Sequence, residues 1–418
     1  MEMLKKIYER SSKYVITLFK WIFIATVTGI LGGIVGSMFH HSVEYVTELR
    51  RANDWMVFLL PVGGLLIVFL YHILGLKYEI GTSDILNAVR KREKGIPPAL
   101  APAIFVTTVI THMLGGSAGR EGAALQIGGG ISALIGRIFK VGEKDFPLVL
   151  MCGMAALFSA LFMTPLTATF FAMEVISVGI IHYSALVPCL CAALVGYEMA
   201  AMFGSAPIEY SINVPMMDVG IVVRVVILAM LCALLSIIFC TFMHRTNRFA
   251  KMYARNPYLR IFAGGTAVIM LTLICGSYDY NGAGMDIVSN AINGIAKPEA
   301  FAWKMLFTAV TLASGFKGGE IVPTFFIGAT FGCTVGGLLG LDPGFCAALG
   351  LVALFCGVVN SPIASIFLAL ELFGANGILF FAVVCAVSYL LSGYYGLYSG
   401  QKIVYSKLNA EFIDIYAK

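Results

Sequence analysis

Two acids stand where apolar sequence should not tolerate them. The first lies in Gly115-Gly116-Ser117-Ala118-Gly119-Arg120-Glu121-Gly122, ahead of an apolar run beginning Ala123-Ala124-Leu125. Burying a charge in a bilayer costs at least ~2.5–3.5 kcal/mol on insertion scales, so a carboxylate here needs a reason. The glycines before Glu121 leave the backbone open. The helix that follows starts with free N–H groups, which with the helix dipole form an anion site. Two roles fit: Glu121 caps the helix, or it occupies the anion site and swings out when protonated to admit an anion. The second acid, Glu320, lies in Gly318-Gly319-Glu320-Ile321-Val322-Pro323, opening the run Thr324–Gly340. Pro323 near the first turn loses no hydrogen bond. Glu320 reads as a proton carrier or as a cap. Two such N-termini converging from two halves of the chain would cradle one small anion by backbone dipoles.

Other polar residues read differently. Glu174 and Glu371 end two equivalent segments that each open with a proline, Pro165 and Pro362, and a repeated structural acid bonded to backbone is the expectation for both. Tyr405, in Gln401-Lys402-Ile403-Val404-Tyr405-Ser406, is placed at the head of a short C-terminal helix. Its phenol could donate to an anion, or serve as a membrane-interface tyrosine. His112, inside an apolar run, reads as a packed or bonded histidine. HExxH and Walker motifs are missing, so metalloprotease and ATPase functions lack a site, and neither an enzyme activity nor a cofactor is expected.

The elements that must position these residues follow from composition. The chain has 418 residues, 59% hydrophobic and 12% charged, against about a quarter charged in an average soluble chain. Its mean hydropathy is +0.89. Apolar runs fall at about 14–48, 55–76, 99–116, 122–139, 146–178, 180–204, 218–243, 261–276, 300–316, 321–340, 344–373 and 377–396. This is the pattern of an all-α polytopic membrane protein. It excludes a soluble enzyme, a nucleic-acid binder, a disulfide-stapled module and a disordered chain. The first run is too long for a signal peptide and reads as a retained helix. Several runs are too short to span ~30 Å at 1.5 Å per residue, and others carry an internal proline, which points to broken helices meeting inside the membrane. Basic clusters at Lys5, Lys6, Arg10, Lys13, at Arg90, Lys91, Arg92, Lys94, and at Arg245, Arg248, Lys251, Arg255, Arg260 place those segments and the N-terminus in the cytoplasm. The ten cysteines sit singly in apolar stretches and read as small packing residues.

The chain is duplicated. At an offset of 200, Thr108, Thr111, Gly115, Gly119, Ile127 and Gly128 match Thr308, Thr311, Gly315, Gly319, Ile327 and Gly328. At an offset of 197, Ala156, Leu157, Phe158, Pro165, Phe170, Ala172 and Glu174 match Ala353, Leu354, Phe355, Pro362, Phe367, Ala369 and Glu371. The basic stretch His244–Arg260 is the hinge between the halves. Sequence alone does not settle whether the copies are inverted.

Taken together, these motifs resemble the CLC family of chloride channels and halide/proton antiporters. Gly119-Arg120-Glu121-Gly122 resembles that family's GREGP or GKEGP motif, whose Glu is the external gate. Gly319-Glu320-Ile321-Val322-Pro323 resembles its GxFxP motif, and Tyr405 resembles the tyrosine that coordinates the central anion. The resemblance spans roughly residues 15–408 and implies one CLC-like transmembrane domain of two inverted repeats, about 15–205 and 218–408. It further implies a homodimer with one pore per subunit and no soluble regulatory domain. The anion would be held by Gly119, Arg120, Gly122, Ile80, Ile321, Val322 and Tyr405. The departures are informative. The family's GSGIP motif should fall near Glu79–Ile85, where Ile80 replaces its serine and Ser83 its proline; Ala123 replaces the proline ending the gating motif. The internal proton glutamate would fall just after Glu174, at Val175. The fluoride-exporting branch lacks the serine motif and carries a glutamate in the GxFxP-like motif, as Glu320 does here. The expectation is therefore a fluoride/proton antiporter in a bacterial-type plasma membrane, gated by Glu121 with Glu320 relaying the proton. A chloride channel or chloride/proton exchanger is the alternative within the family; a membrane-embedded enzyme or scaffold is the rival outside it. The expected partners are a halide, protons, the lipid bilayer and a second copy, with no nucleic acid.

Overall fold

A computed structural model describes the backbone of residues 2–91 and 95–418 and the side chains of residues 12–91 and 95–418. Lys5, Lys6, Arg10, Arg92 and Lys94 of the basic clusters lie outside the described side chains. Among the described residues the chain forms sixteen α-helices, eight to each half. The first eight are α1 (Glu2–Ala52), α2 (Leu60–Ile73), α3 (Thr82–Lys91), α4 (Leu100–Met113), α5 (Glu121–Ile138), α6 (Phe146–Phe162), α7 (Pro165–Glu174) and α8 (Leu186–Met202). Their counterparts are α9 (Val219–Tyr253), α10 (Pro257–Cys275), α11 (Met285–Ile292), α12 (Ala300–Ala313), α13 (Ile321–Leu338), α14 (Pro343–Val359), α15 (Pro362–Phe373) and α16 (Ile378–Leu391).

Both long apolar runs with an internal proline are cut in two at that proline, because the preceding residue is pushed out of helical geometry. Thr164 and Ser361 accordingly have ψ of 78° and 75°. Two short polar helices, α3 and α11, lie between the apolar runs, so hydropathy alone passes over them. Among the described residues, six helical stretches are long and apolar enough to cross a membrane, α13 among them. Helices α6 and α14 are apolar all round and almost entirely buried, as core helices of a membrane bundle should be. Each packs closely on its neighbour through glycines. A Cβ on Gly128 would collide with the Gly153 carbonyl, and one on Gly328 with that of Gly350. Small residues let helix backbones approach where no water is present to drive association.

A two-fold axis relates the halves, and equivalent residues meet along it. Gly119 and Gly319 exchange both backbone hydrogen bonds at 2.7 Å as an antiparallel bridge. The rings of Phe170 and Phe367 stack with centroids 4.6 Å apart and planes 9° from parallel. Glu174 at the end of α7 accepts from the Ile363 and Ala364 amides of α15. Glu371, in the last turn of α15, accepts from the Leu166 and Thr167 amides of α7 and from the Thr167 hydroxyl at 2.6 Å. The repeated acids are thus structural, as expected, and each caps the other's helix.

The C-terminal segment departs from expectation. It forms strands in place of a short helix: β1 (Ser177–Val178) pairs in parallel with β2 (Lys402–Tyr405), which pairs antiparallel with β3 (Phe412–Tyr416). The β-branched pair Ile403-Val404 favours the pleated surface over a helix, and both side chains are buried in it.

Candidate functional site

The loops Gly115–Arg120 and Gly315–Glu320 deliver α5 and α13 start to start. Polar groups pin the first loop to the opposite half: the Ser117 amide donates to Thr311 Oγ1 and the Ser117 hydroxyl pairs with that of Thr308, both at 3.1 Å. These threonines are among the repeated residues, so the duplication positions the site. A Cβ on Gly319 would lie 2.4 Å from the Gly122 amide nitrogen and 3.1 Å from that of Glu121, so only glycine permits the approach.

Glu121 is the first residue of α5 and is wholly buried between the two helix starts. Its Oε2 accepts from the amide of Val322, the second residue of α13, at 3.2 Å. The carboxylate of one half therefore sits on the N-terminal amides of the other, in the cradle expected for an anion. Oε1 has no hydrogen-bond partner. A buried carboxylate oxygen left unpaired is costly, a cost that the dipoles of the two helix starts offset in part.

Glu320 occupies the N-cap position of α13 and lines a cavity of about 600 Å³. Exposed Lys77, Glu79 and Lys251 belong to its lining, as do Arg260, Ile80, Thr82, Gln126, Lys317 and Tyr398. Lys317 donates to the Tyr78 carbonyl at 2.6 Å and lies 4.5 and 4.6 Å from the ring centroids of Tyr71 and Tyr78. Thr82 opens α3 and donates to the Gly122 carbonyl at 3.3 Å, to which Gln126 also donates at 3.1 Å. The Tyr398 side chain is 2% exposed and its hydroxyl has no partner. It is electrostatically coupled to both Glu320 and Glu121. Local bonds hold it there: Leu397 donates its amide to the Val358 carbonyl, Gln401 its amide to the Tyr398 carbonyl, both at 2.9 Å, and Gly400 its amide to the Ser83 hydroxyl.

Among the expected site residues, the structure brings together Gly119, Glu121, Gly122, Ile321 and Val322. Ile80 and Glu320 line the adjoining cavity. Arg120 is the N-cap of α5, but its guanidinium turns away from the cradle, donating to His40 Nδ1 at 2.6 Å and to the Leu161 carbonyl at 3.4 Å. Tyr405 stands apart: it ends β2 and is 45% exposed. Tyr398, not Tyr405, lines the cavity beside Glu320. Each of these tyrosines precedes a serine, so the local motif could not separate them; burial does. Gln126, a lone amide in an apolar run, was the one sequence signal for the missed residues. Lys317 and Thr82 had none. Val175 is fully buried at the end of α7, and its carbonyl accepts from Gln401 at 2.9 Å. His112 is packed as expected, with Nδ1 2.9 Å from the Thr108 carbonyl.

Short helices paired between two halves, with two helix N-termini flanking a buried carboxylate, define a duplicated integral membrane protein built around that carboxylate. The chain belongs to the voltage-gated chloride channel family, whose model matches residues 63–393. It is 34% identical over 395 residues to the chloride/fluoride channel protein of Pseudomonas syringae pv. tomato, covering 93% of this chain and 87% of the relative. Its structure is similar to that of a CLC-type fluoride/proton antiporter, with a TM-score of 0.88 at 30% identity over 92% of this chain and 98% of the other. The fold is also that of a slow cyanobacterial Cl⁻/H⁺ antiporter, with a TM-score of 0.73 at 19% identity, covering 89% of this chain and 94% of that one.

Proposed function

We propose that this protein exchanges fluoride for protons across a bacterial-type plasma membrane. The observation that carries the reading is Glu121 on the Val322 amide with its second oxygen unpaired. A carboxylate in that position competes with a small anion for the same N–H groups. Protonation removes its charge and weakens its hold on the cradle, so the side chain leaves and the halide enters. The ionised Glu121 carboxylate and a halide exclude each other from the cradle, and this ties proton binding on Glu121 to halide movement.

On the cavity side, Glu320 takes over the proton. Buried Val175 offers no carboxylate where a conventional chloride/proton exchanger would use one, and Glu320 supplies it from the other helix. Tyr398, with its free hydroxyl, is placed to donate to the anion between the two acids. Gly119, Gly122, Ile321 and Val322 supply backbone, and Ile80 an apolar wall that dehydrates the anion. Lys77, Lys251, Arg260 and Lys317 draw anions into the cavity.

Lys251 and Arg260 lie 3.3 and 3.8 Å from Glu79, and Arg90 bonds the Gly400 carbonyl, so members of two basic clusters gather at this cavity's side. By the positive-inside rule that side is cytoplasmic, as is the N-terminus. We assign the repeats to about 15–205 and 218–408 and expect two subunits, each with its own pathway.

The test is efflux from proteoliposomes loaded with fluoride or with chloride, with pH recorded. Fluoride preferred over chloride, with linked proton movement, is the expected result. Chloride flux without a pH change would select a channel instead.

A further inference from the structure

On α1, one turn brings His40, His41 and Glu44 to one face, beside the C-terminal end of α8. One ligand atom from each lies within 4.8 Å of the other two. His40 Nε2 is 3.5 Å, and His41 Nδ1 3.8 Å, from the same Glu44 oxygen, Oε2. A tetrahedral zinc ion with bonds of about 2.0 Å sets neighbouring ligand atoms about 3.3 Å apart, so small side-chain rotations complete three corners and leave the fourth for water.

The hydrogen bonds fix which nitrogens are available. The Phe203 carbonyl can only accept, so His41 Nε2, 2.9 Å away, carries the ring proton and His41 Nδ1 presents a bare lone pair. In the neutral ring that lone pair faces the Glu44 carboxylate, a pairing that either a second ring proton or a metal ion completes. A carbonyl holding the far nitrogen is also the usual support for a ligating histidine. The Glu44 side chain is 55% exposed, so an ion can reach the group.

His40 connects this group to the gate. Arg120 can only donate, so His40 Nδ1, 2.6 Å from its Nη1, holds a lone pair and the ring proton sits on Nε2. A metal ion on Nε2 displaces that proton, and a neutral ring must then carry it on Nδ1. Two donors would face each other, and the Arg120 bond breaks. Arg120 is the N-cap of α5, directly before Glu121.

We propose that His40, His41 and Glu44 bind a divalent transition-metal ion of the zinc class, and that binding releases Arg120 and so acts on the Glu121 gate. The effect on transport rests on the function proposed above; the site itself does not.

Zinc chloride titrated calorimetrically into purified protein should show one saturable site per chain. His41→Gln and Glu44→Gln should each weaken it more than about tenfold. Arg120→Ala should tighten it several-fold, since coupling is reciprocal and His40 Nδ1 is then free to take the proton. In proteoliposomes, zinc supplied to both faces should slow fluoride efflux in the parent and not in His41→Gln. Unsaturable binding, or binding unchanged in His41→Gln and Glu44→Gln, overturns the site. Unchanged affinity in Arg120→Ala, or zinc that binds without altering flux, overturns the link to the gate. Loss of all fluoride flux without zinc would count against the proposed function alone and leave the titration standing.

Discussion

Glu174 and Glu371 are exact mates under the two-fold axis; Glu121 and Glu320 are not. The helices α5 and α13 start at an offset of 200, which makes Ile321 the mate of Glu121 and Glu320 the mate of Arg120. The symmetric acids have their oxygens on helix N-termini, two amides for Glu174 and two amides with a hydroxyl for Glu371. The asymmetric pair leaves Glu121 Oε1 unpaired and sets Glu320 against a cavity. Symmetric duplication satisfies its polar groups reciprocally and stabilises. Where one half departs from the other by a single residue, the charge is left uncompensated and free to work.

That contrast can be broken at several strengths. The largest effect is expected from Glu121→Gln, which removes the titrating group from the cradle. Proton movement coupled to fluoride in liposomes should vanish; intact coupled pumping would sink the assignment of Glu121 as the gate. Glu371→Gln keeps the side-chain volume but replaces an acceptor by a donor facing an amide or hydroxyl. It should lower stability by about 2–3 kcal/mol, and Glu174→Gln by about 1–2 kcal/mol because it serves fewer and longer bonds. Thermal unfolding in detergent checks the order, and equal costs would mean the hydrogen-bond count is not what distinguishes them. Tyr398→Phe removes one donor, worth about 1 kcal/mol, so fluoride flux should fall a few-fold with coupling kept. Tyr405→Phe should change neither flux nor coupling, and an effect equal to that of Tyr398→Phe would reverse the choice between the two tyrosines.

Much of the site was legible because its determinants are local. Glycine before an acid at the start of an apolar run marks an open helix N-terminus whatever the rest of the chain does. Pro165 and Pro362 break their helices by clashing with their own neighbours. The match of residues at offsets of 200 and 197 announced two copies, and the helix boundaries repeat it element by element. Lys402–Tyr405 carries no period that separates a strand from a helix start, and one of the two partners that make it a strand, Ser177–Val178, lies far away in the chain.

The sequence by itself determined the solvent, the duplication and the two misplaced acids, since hydropathy, proline sterics and backbone exposure act within a few residues. Only the tertiary structure decided what each acid meets. Glu174 and Glu371 find each other's helices, Glu121 finds the Val322 amide, and Tyr398 rather than Tyr405 reaches the cavity, because each outcome depends on contacts between distant segments. Those contacts are set by how two homologous halves close on one axis, and one sequence carries no record of distance across it.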